Sequence, residues 1–174
     1  MVLRYELDPV ADQQLATGIS RLWADVTNAG GAVGFLPPVT PAETRPEVIM
    51  HFAAVSEGRT RQLVGFDADG EVKATAYITF NRRSLMRHWV WLYTVMVHPD
   101  LQGRGVGREL MSAVAEEVRG FEGVGAIRLT CRSNQGNERF YEACGYKEVG
   151  RVPGAIKVGE GEYRDDVTMW LTLS

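Results

Sequence analysis

The chain is predicted to fold as a mixed α/β (α+β) domain of about seven strands and four helices, in the order β α α β β β α β α β β. Three observations carry this. Segments of helical and strand period alternate along the whole length; a run apolar at nearly every position, His88 to Val97, sits near the middle; and that run empties through a glycine-rich turn into an amphipathic helix. The 174 residues suit a single domain, 1–174, large enough to bury a working core without disulfide or metal staples.

Val2 to Leu7 alternates like a strand and stops at Asp8-Pro9. Leu15, Ile19, Leu22, Trp23 and Val26 then fall at three- and four-residue steps, the stripe of a first helix closed by Asn28 to Gly31. Thr40 before Pro41 reads as an N-cap ahead of a first-turn proline, and Val48, Ile49, Phe52 and Val55 give the second helix its apolar stripe. Two strands flank Asp67-Ala68-Asp69-Gly70, a hairpin turn. The run from His88 to Val97 suits a central strand covered on both faces. From Gly105 to Arg119, Val106, Leu110, Ala113, Val114 and Val118 mark the third helix. A strand follows at Ala126 to Arg132, and a short helix at Asn134 to Ala143 with Gly145 at its C′ position. Two last strands, Tyr146 to Val152 and Asp166 to Leu173, are expected to pair across a polar loop, Pro153 to Asp165.

Composition excludes several function classes. Nineteen Lys and Arg against twenty-two Asp and Glu argue against a surface built to neutralise nucleic-acid phosphates. No stretch approaches the roughly 18 consecutive apolar residues of a membrane-spanning helix. The first ten residues contain acids and lack a secretory signal's apolar core, so the expected location is cytoplasmic. Cys131 and Cys144 are not a C-x-x-C pair and read as buried, reduced thiols. His51, His88 and His98 stand in no metal-ligand spacing, so no metal is expected.

The stretch VHPDLQGRGVGRELM, Val97 to Met111, holds the strongest chemical signal. Taken alone, its three glycines would mark a flexible turn. Here a strand feeds them and a helix leaves them. The first amides of that helix lack intrahelical partners and carry the positive end of its dipole, and absent β-carbons at Gly103, Gly105 and Gly107 let an anion approach closely. Arg108 and Glu109 after Gly107 do not fit a Walker A loop, which needs Lys then Ser or Thr. A dinucleotide fingerprint begun at Gly103 would need glycine where Arg108 stands, and would follow the first strand of a βαβ unit, not the fourth strand.

Gln102-x-x-Gly105-x-Gly107, preceded by Val95-x-Val97-x-Pro99, resembles the pyrophosphate loop of the GNAT superfamily of acyl-CoA-dependent N-acyltransferases. Downstream, NQGNERFYEACGY is similar to a second segment of that family, with Asn134, Tyr141, Gly145 and Tyr146 in register and Asn137 where alanine is frequent. The resemblance covers nearly the whole chain and implies a largely antiparallel sheet and acetyl-CoA as cosubstrate. It implies that the amides from Gly103 through Arg104, Gly105, Val106 and Gly107 to Arg108 hold the pyrophosphate, with Gln102 shaping the turn. It further implies that the main chain of Val95, Met96 and Val97 pairs with the pantetheine arm, and that Asn134 and its neighbour Asn137 lie along it. Tyr141 is then the acid that protonates the departing thiolate, a role open to a phenol of ordinary pKa near ~10.

The resemblance leaves the general base open. The fourth strand carries no acid, so water, His88 or an acid of the terminal loop are the alternatives. Trp89, Trp91 and Tyr93 alternate on one face and read as core packing whose exposed end borders an acceptor pocket. Glu160, Glu162, Asp165 and Asp166 read either as a solvated turn or as a funnel for a cationic amine. The function expected is transfer of acetyl from acetyl-CoA to a primary amine of a small molecule in a ternary complex. The alternatives are a protein or peptide acceptor, or a non-catalytic acyl-CoA-binding sensor. Partners are expected to be the small-molecule amine, with neither nucleic acid nor membrane; oligomeric state is open, a homodimer included.

Overall fold

A computed structural model describes residues 2–173. Strand β1 (Arg4–Leu7) leads to helices α1 (Gln13–Asn28) and α2 (Pro41–Ser56), then to β2 (Thr60–Phe66), β3 (Val72–Phe80) and β4 (Trp89–Val97). Helix α3 (Val106–Arg119), β5 (Ala126–Arg132), α4 (Asn137–Ala143), β6 (Lys147–Gly159) and β7 (Glu162–Thr172) complete the order expected from the sequence. The strands form one seven-stranded sheet, ordered β1-β2-β3-β4-β5-β7-β6. Every neighbouring pair is antiparallel except β4 and β5.

Alternating side chains send the sheet's apolar residues into two cores. On one face Ala76, Ile78, Val90, Leu92, Ile127 and Leu129 meet Leu110, Val114 and Val118 of α3. On the other, Val64 and Met96 meet the predicted α1 stripe of Leu15, Ile19, Leu22, Trp23 and Val26, together with Val48 of α2. The α2 stripe is narrower than its sequence suggests: Ile49 is 50% exposed, because α2 packs through Thr44, Val48 and Ala54 and leaves the flank bearing Ile49 and Met50 to solvent.

Two boundaries depart from expectation. Helix α4 begins at Asn137, not Asn134, because Asn134 and Gly136 both adopt positive φ in the turn ahead of it. The segment Pro153 to Asp165 is not a loop. Strands β6 and β7 continue through it to a tight turn at Glu160-Gly161, with Gly161 at φ 68°. Pro153 is absorbed in an irregularity between the pairs Val152↔Asp166 and Ile156↔Arg164, where the Asp165 carboxylate accepts a hydrogen bond from the Gly154 amide at 3.0 Å. A bulge thus accommodates a residue that cannot donate to the ladder.

The long connection between α1 and α2 is tied to its own ends. Asn28 donates through Nδ2 to the Val39 carbonyl at 2.8 Å and accepts through Oδ1 from the Val39 amide at 2.9 Å. Trp23 Nε1 donates to the Val33 carbonyl at 2.7 Å. Asn28→Ala leaves both polar groups of the buried Val39 without these partners and is expected to lower unfolding free energy by about 1–3 kcal/mol, read by urea denaturation.

Candidate active site

Strands β4 and β5 pair at only three positions, Trp89↔Ala126, Val90↔Ile127 and Trp91↔Arg128. Beyond them β4 stays with β3 as far as Val97↔Ala74, while β5 stays with β7 as far as Arg132↔Asp166. Between Thr75↔Met96 and Tyr77↔Tyr93, β4 has one residue more than β3, and Thr94 within that bulge stands at φ 49°, a conformation rare for a β-branched residue. The facing edges of the two strands therefore part, and a cavity of about 1210 Å³ opens between them, lined by Leu92 to Val95 and Leu129 to Arg132.

The glycine loop closes one end of this cavity. Gly103 and Gly105 adopt φ 72° and 88°, a region that disfavours side chains, and Gly105 caps α3. Gly107 is constrained differently: a Cβ there would lie 3.1 Å from the Phe140 ring of α4. Among the described residues the amides from Gly103 to Gly107 meet no hydrogen-bond acceptor, and Gln102 Nε2 donates to the Val97 carbonyl at 3.0 Å, folding the loop back onto the end of β4. These are the free donors that an anion at a helix N-terminus requires.

The cavity gathers Val95, Val97, Gln102, Gly103, Gly105, Gly107, Arg108, Asn137 and Tyr141 from the residues singled out by sequence. Four others lie outside its walls. Met96 is buried against α1 and Val106 beneath α3, whereas Arg104 and Asn134 are exposed. Tyr141 packs edge-on against Phe140 and Tyr146, and burial raises its phenol well above the ordinary value, so it is protonated at neutral pH. Burial likewise pushes the Cys131 thiol up to about 12, which makes it a thiol rather than a thiolate nucleophile.

The candidate bases of the sequence reading lie elsewhere. His88 precedes β4 at its far end, where its carbonyl accepts from the Gly125 amide at 2.9 Å. Glu162 pairs with Arg164, Asp165 pairs with Arg151 at 2.9 Å, and none of Glu160, Glu162, Asp165 and Asp166 lines the cavity. Instead Glu47 and His51, one turn apart on α2, face it. The His51 ring stacks on Tyr77 with centroids 3.9 Å apart, and burial lowers its pKa from 6.5. Tyr77 is fully buried and receives a hydrogen bond from Gln62 Nε2 at 3.0 Å. The i, i+4 spacing of Glu47 and His51 was their only trace in the sequence. Tyr93, the outer member of the aromatic row, is 41% exposed and borders the cavity.

The sheet opens between two parallel strands, with unpartnered loop amides at one end of the gap and a protonated phenol along it, an arrangement able to hold an extended ligand with an anionic end. The family model for the acetyltransferase (GNAT) family matches residues 32–146, and the chain belongs to that family. Solved structures share its fold. A GNAT superfamily phosphinothricin acetyltransferase from Sinorhizobium meliloti, in complex with AcCoA, is 19% identical with TM-score 0.79 over 100% of this chain and 90% of that one. An N-acetyltransferase from Staphylococcus aureus Mu50 is 17% identical with TM-score 0.76, over 98% and 99%. The ribosomal-protein-S18-alanine N-acetyltransferase from Escherichia coli is 20% identical with TM-score 0.70, over 99% and 95%.

Because burial disfavours the charged imidazole, His51 binds its proton more weakly in the folded chain than in the unfolded one. Its contribution to stability is complete above the unfolded pKa of about 6.5 and is lost as pH falls through the lower folded value. His51→Asn is expected to remove that part of the pH dependence, measured by denaturation at stepped pH. NMR titration of His51 should show a midpoint below 6.5.

Proposed function

We propose that the protein transfers acetyl from acetyl-CoA to a primary amine of a small molecule, by direct attack in a ternary complex. The observation that carries this is the splay itself: one cavity joins the glycine loop, the unpaired edge of β4, Tyr141 and the α2 wall. A pantetheine arm laid along the open edge of β4 from the loop brings its thioester toward the bulge at Thr94. The acceptor enters between α2 and the sheet. The amine nitrogen bonds to the thioester carbon, the carbon–sulfur bond breaks, and the thiolate leaves with its electron pair.

Three groups of the chain serve this reaction. Amides on the free edge of β4 meet the carbonyl oxygen as it gains charge. His51 takes the proton from the amine. It stacks on Tyr77, whose strand partner is Tyr93 beside the bulge, and it lines the same cavity as Tyr93 and Thr94. Its neutral form has a lone pair to offer at pH 7. Tyr141 returns a proton to the thiolate. Its high pKa suits the task because the same desolvation raises thiols: Cys131, on the same cavity, reaches about 12, so a thiolate formed there is a strong base.

Tyr141→Phe is expected to lower kcat by about 10²-fold with little change in acetyl-CoA affinity. Retained activity on the true acceptor would remove the phenol from the reaction. Gly105→Ala places a side chain at φ 88° and is expected to raise KM for acetyl-CoA while leaving KM for the amine unchanged. Both are measured by CoA release across an amine panel.

A further inference from the structure

On the side of the sheet that faces α2, the cavity wall contributed by β5 carries a cation without a counterion. Arg132 lines the cavity at the end of β5. Leu129 and Cys131 point into the core near Tyr141, so by alternation Thr130 and Arg132 point to the opposite face of the sheet. The Nε of Arg132 is closed to solvent and has no hydrogen-bond partner, and no described carboxylate pairs with the guanidinium. Its strand partner Asp166 makes no ion pair with it. The charge whose field it feels is another cation, Arg164, and Arg164 already holds Glu162. A half-buried guanidinium with its Nε closed to solvent, beside a second cation and without an anion of its own, is left short of charge-assisted hydrogen bonds. The opposite wall has the complementary sign, because Glu47 faces the same space from α2 without an ion pair.

We propose that Arg132 receives a carboxylate of the acceptor, and that the acceptor is therefore an α-amino acid or a closely related zwitterion. Its amino group points toward Glu47 and His51 and its carboxylate toward β5. This rests on the cavity being the site of acyl transfer, and it adds an anionic group to the cationic amine that the acids of the β6–β7 turn suggested for the acceptor. A planar guanidinium takes both oxygens of a carboxylate at once, so the contact would fix orientation as well as affinity.

The test uses matched pairs that differ only in the carboxylate: tyrosine and tyramine, phenylalanine and phenethylamine, leucine and isopentylamine. Turnover is read as CoA release. Binding is read separately, by calorimetry in saturating CoA, with the N-acetyl derivative of each compound. The amino acid of at least one pair is expected to exceed its amine by about 10²-fold in kcat/KM, with the same order of preference in binding. Arg132→Ala is expected to erase that preference and Arg132→Lys to keep part of it, while acetyl-CoA affinity and thermal stability stay unchanged. Turnover of the amines without preference for the carboxylate overturns the inference and leaves acetyl transfer standing. Carboxylate-dependent binding without turnover does the reverse. A loss of acetyl-CoA affinity in Arg132→Ala with the preference intact assigns Arg132 to the donor and overturns the inference, as does the absence of carboxylate-dependent binding in every pair.

Discussion

The molecule is organised by the point at which β4 and β5 cease to pair. Three residues of parallel ladder hold the strands together, and then each keeps only its outer neighbour. The extra residue at Thr94 sustains this divergence, because a bulge bends its strand and increases local twist. A buried strand edge with unpaired amides and carbonyls is ordinarily costly. Here that edge faces an open cavity, where a polar ligand chain can complete the ladder. The cleft is thus an unfinished sheet, and under the proposed function its two open edges are where the donor lies.

Around that gap, rigidity comes from packing that the site does not itself contain. Behind His51, the fully buried Tyr77 is held by Gln62, which also approaches Thr75 Oγ1 at 3.3 Å, and Thr75 donates to the Leu63 carbonyl at 2.9 Å. This polar network lies within the sheet's own face, so α2 rests on a surface with little freedom to shift. On the other side Phe140 packs against Gly107, which couples the position of α4, and hence of Tyr141, to the first turn of α3. The glycine loop and Tyr141 are in this way parts of one packed unit.

The glycine loop at one end of the cavity was legible in the sequence and the walls from α2 and β5 were not, for a physical reason. A main chain that must adopt positive φ or admit a close neighbour leaves glycines at defined spacings, as at Gly103, Gly105 and Gly107. Element order was equally legible, since the α1 stripe and the apolar run of β4 follow the period of their own structure. The walls of the cavity that bear Glu47, His51 and Arg132 are made by side chains brought together from α2 and β5, about eighty residues apart in sequence. Nothing local distinguishes Arg132 from any strand-end arginine, or His51 from a histidine on a helix flank. Thr94 was hidden for a related reason: a bulge is a relation between two strands, and the residue that makes it fits an ordinary β pattern. The extended β6–β7 hairpin was read as a loop because Pro153, Gly154 and the nearby acids are turn-forming residues, yet register with β7 overrides them.

That division between main chain and side chain also explains how one fold serves different acceptors. The phosphinothricin acetyltransferase and the ribosomal-protein-S18-alanine N-acetyltransferase match this chain with TM-scores of 0.79 and 0.70, although their names state chemically different acceptors. What they share with this protein is the fold. Under the proposed function, acceptor choice lies in features that a backbone match does not weigh, namely the side chains that the α2 and β5 walls present to the gap. In this chain those walls bear Glu47 and His51 on one side and an uncompensated guanidinium on the other. The separation of opposite charges across the gap favours a substrate that carries both.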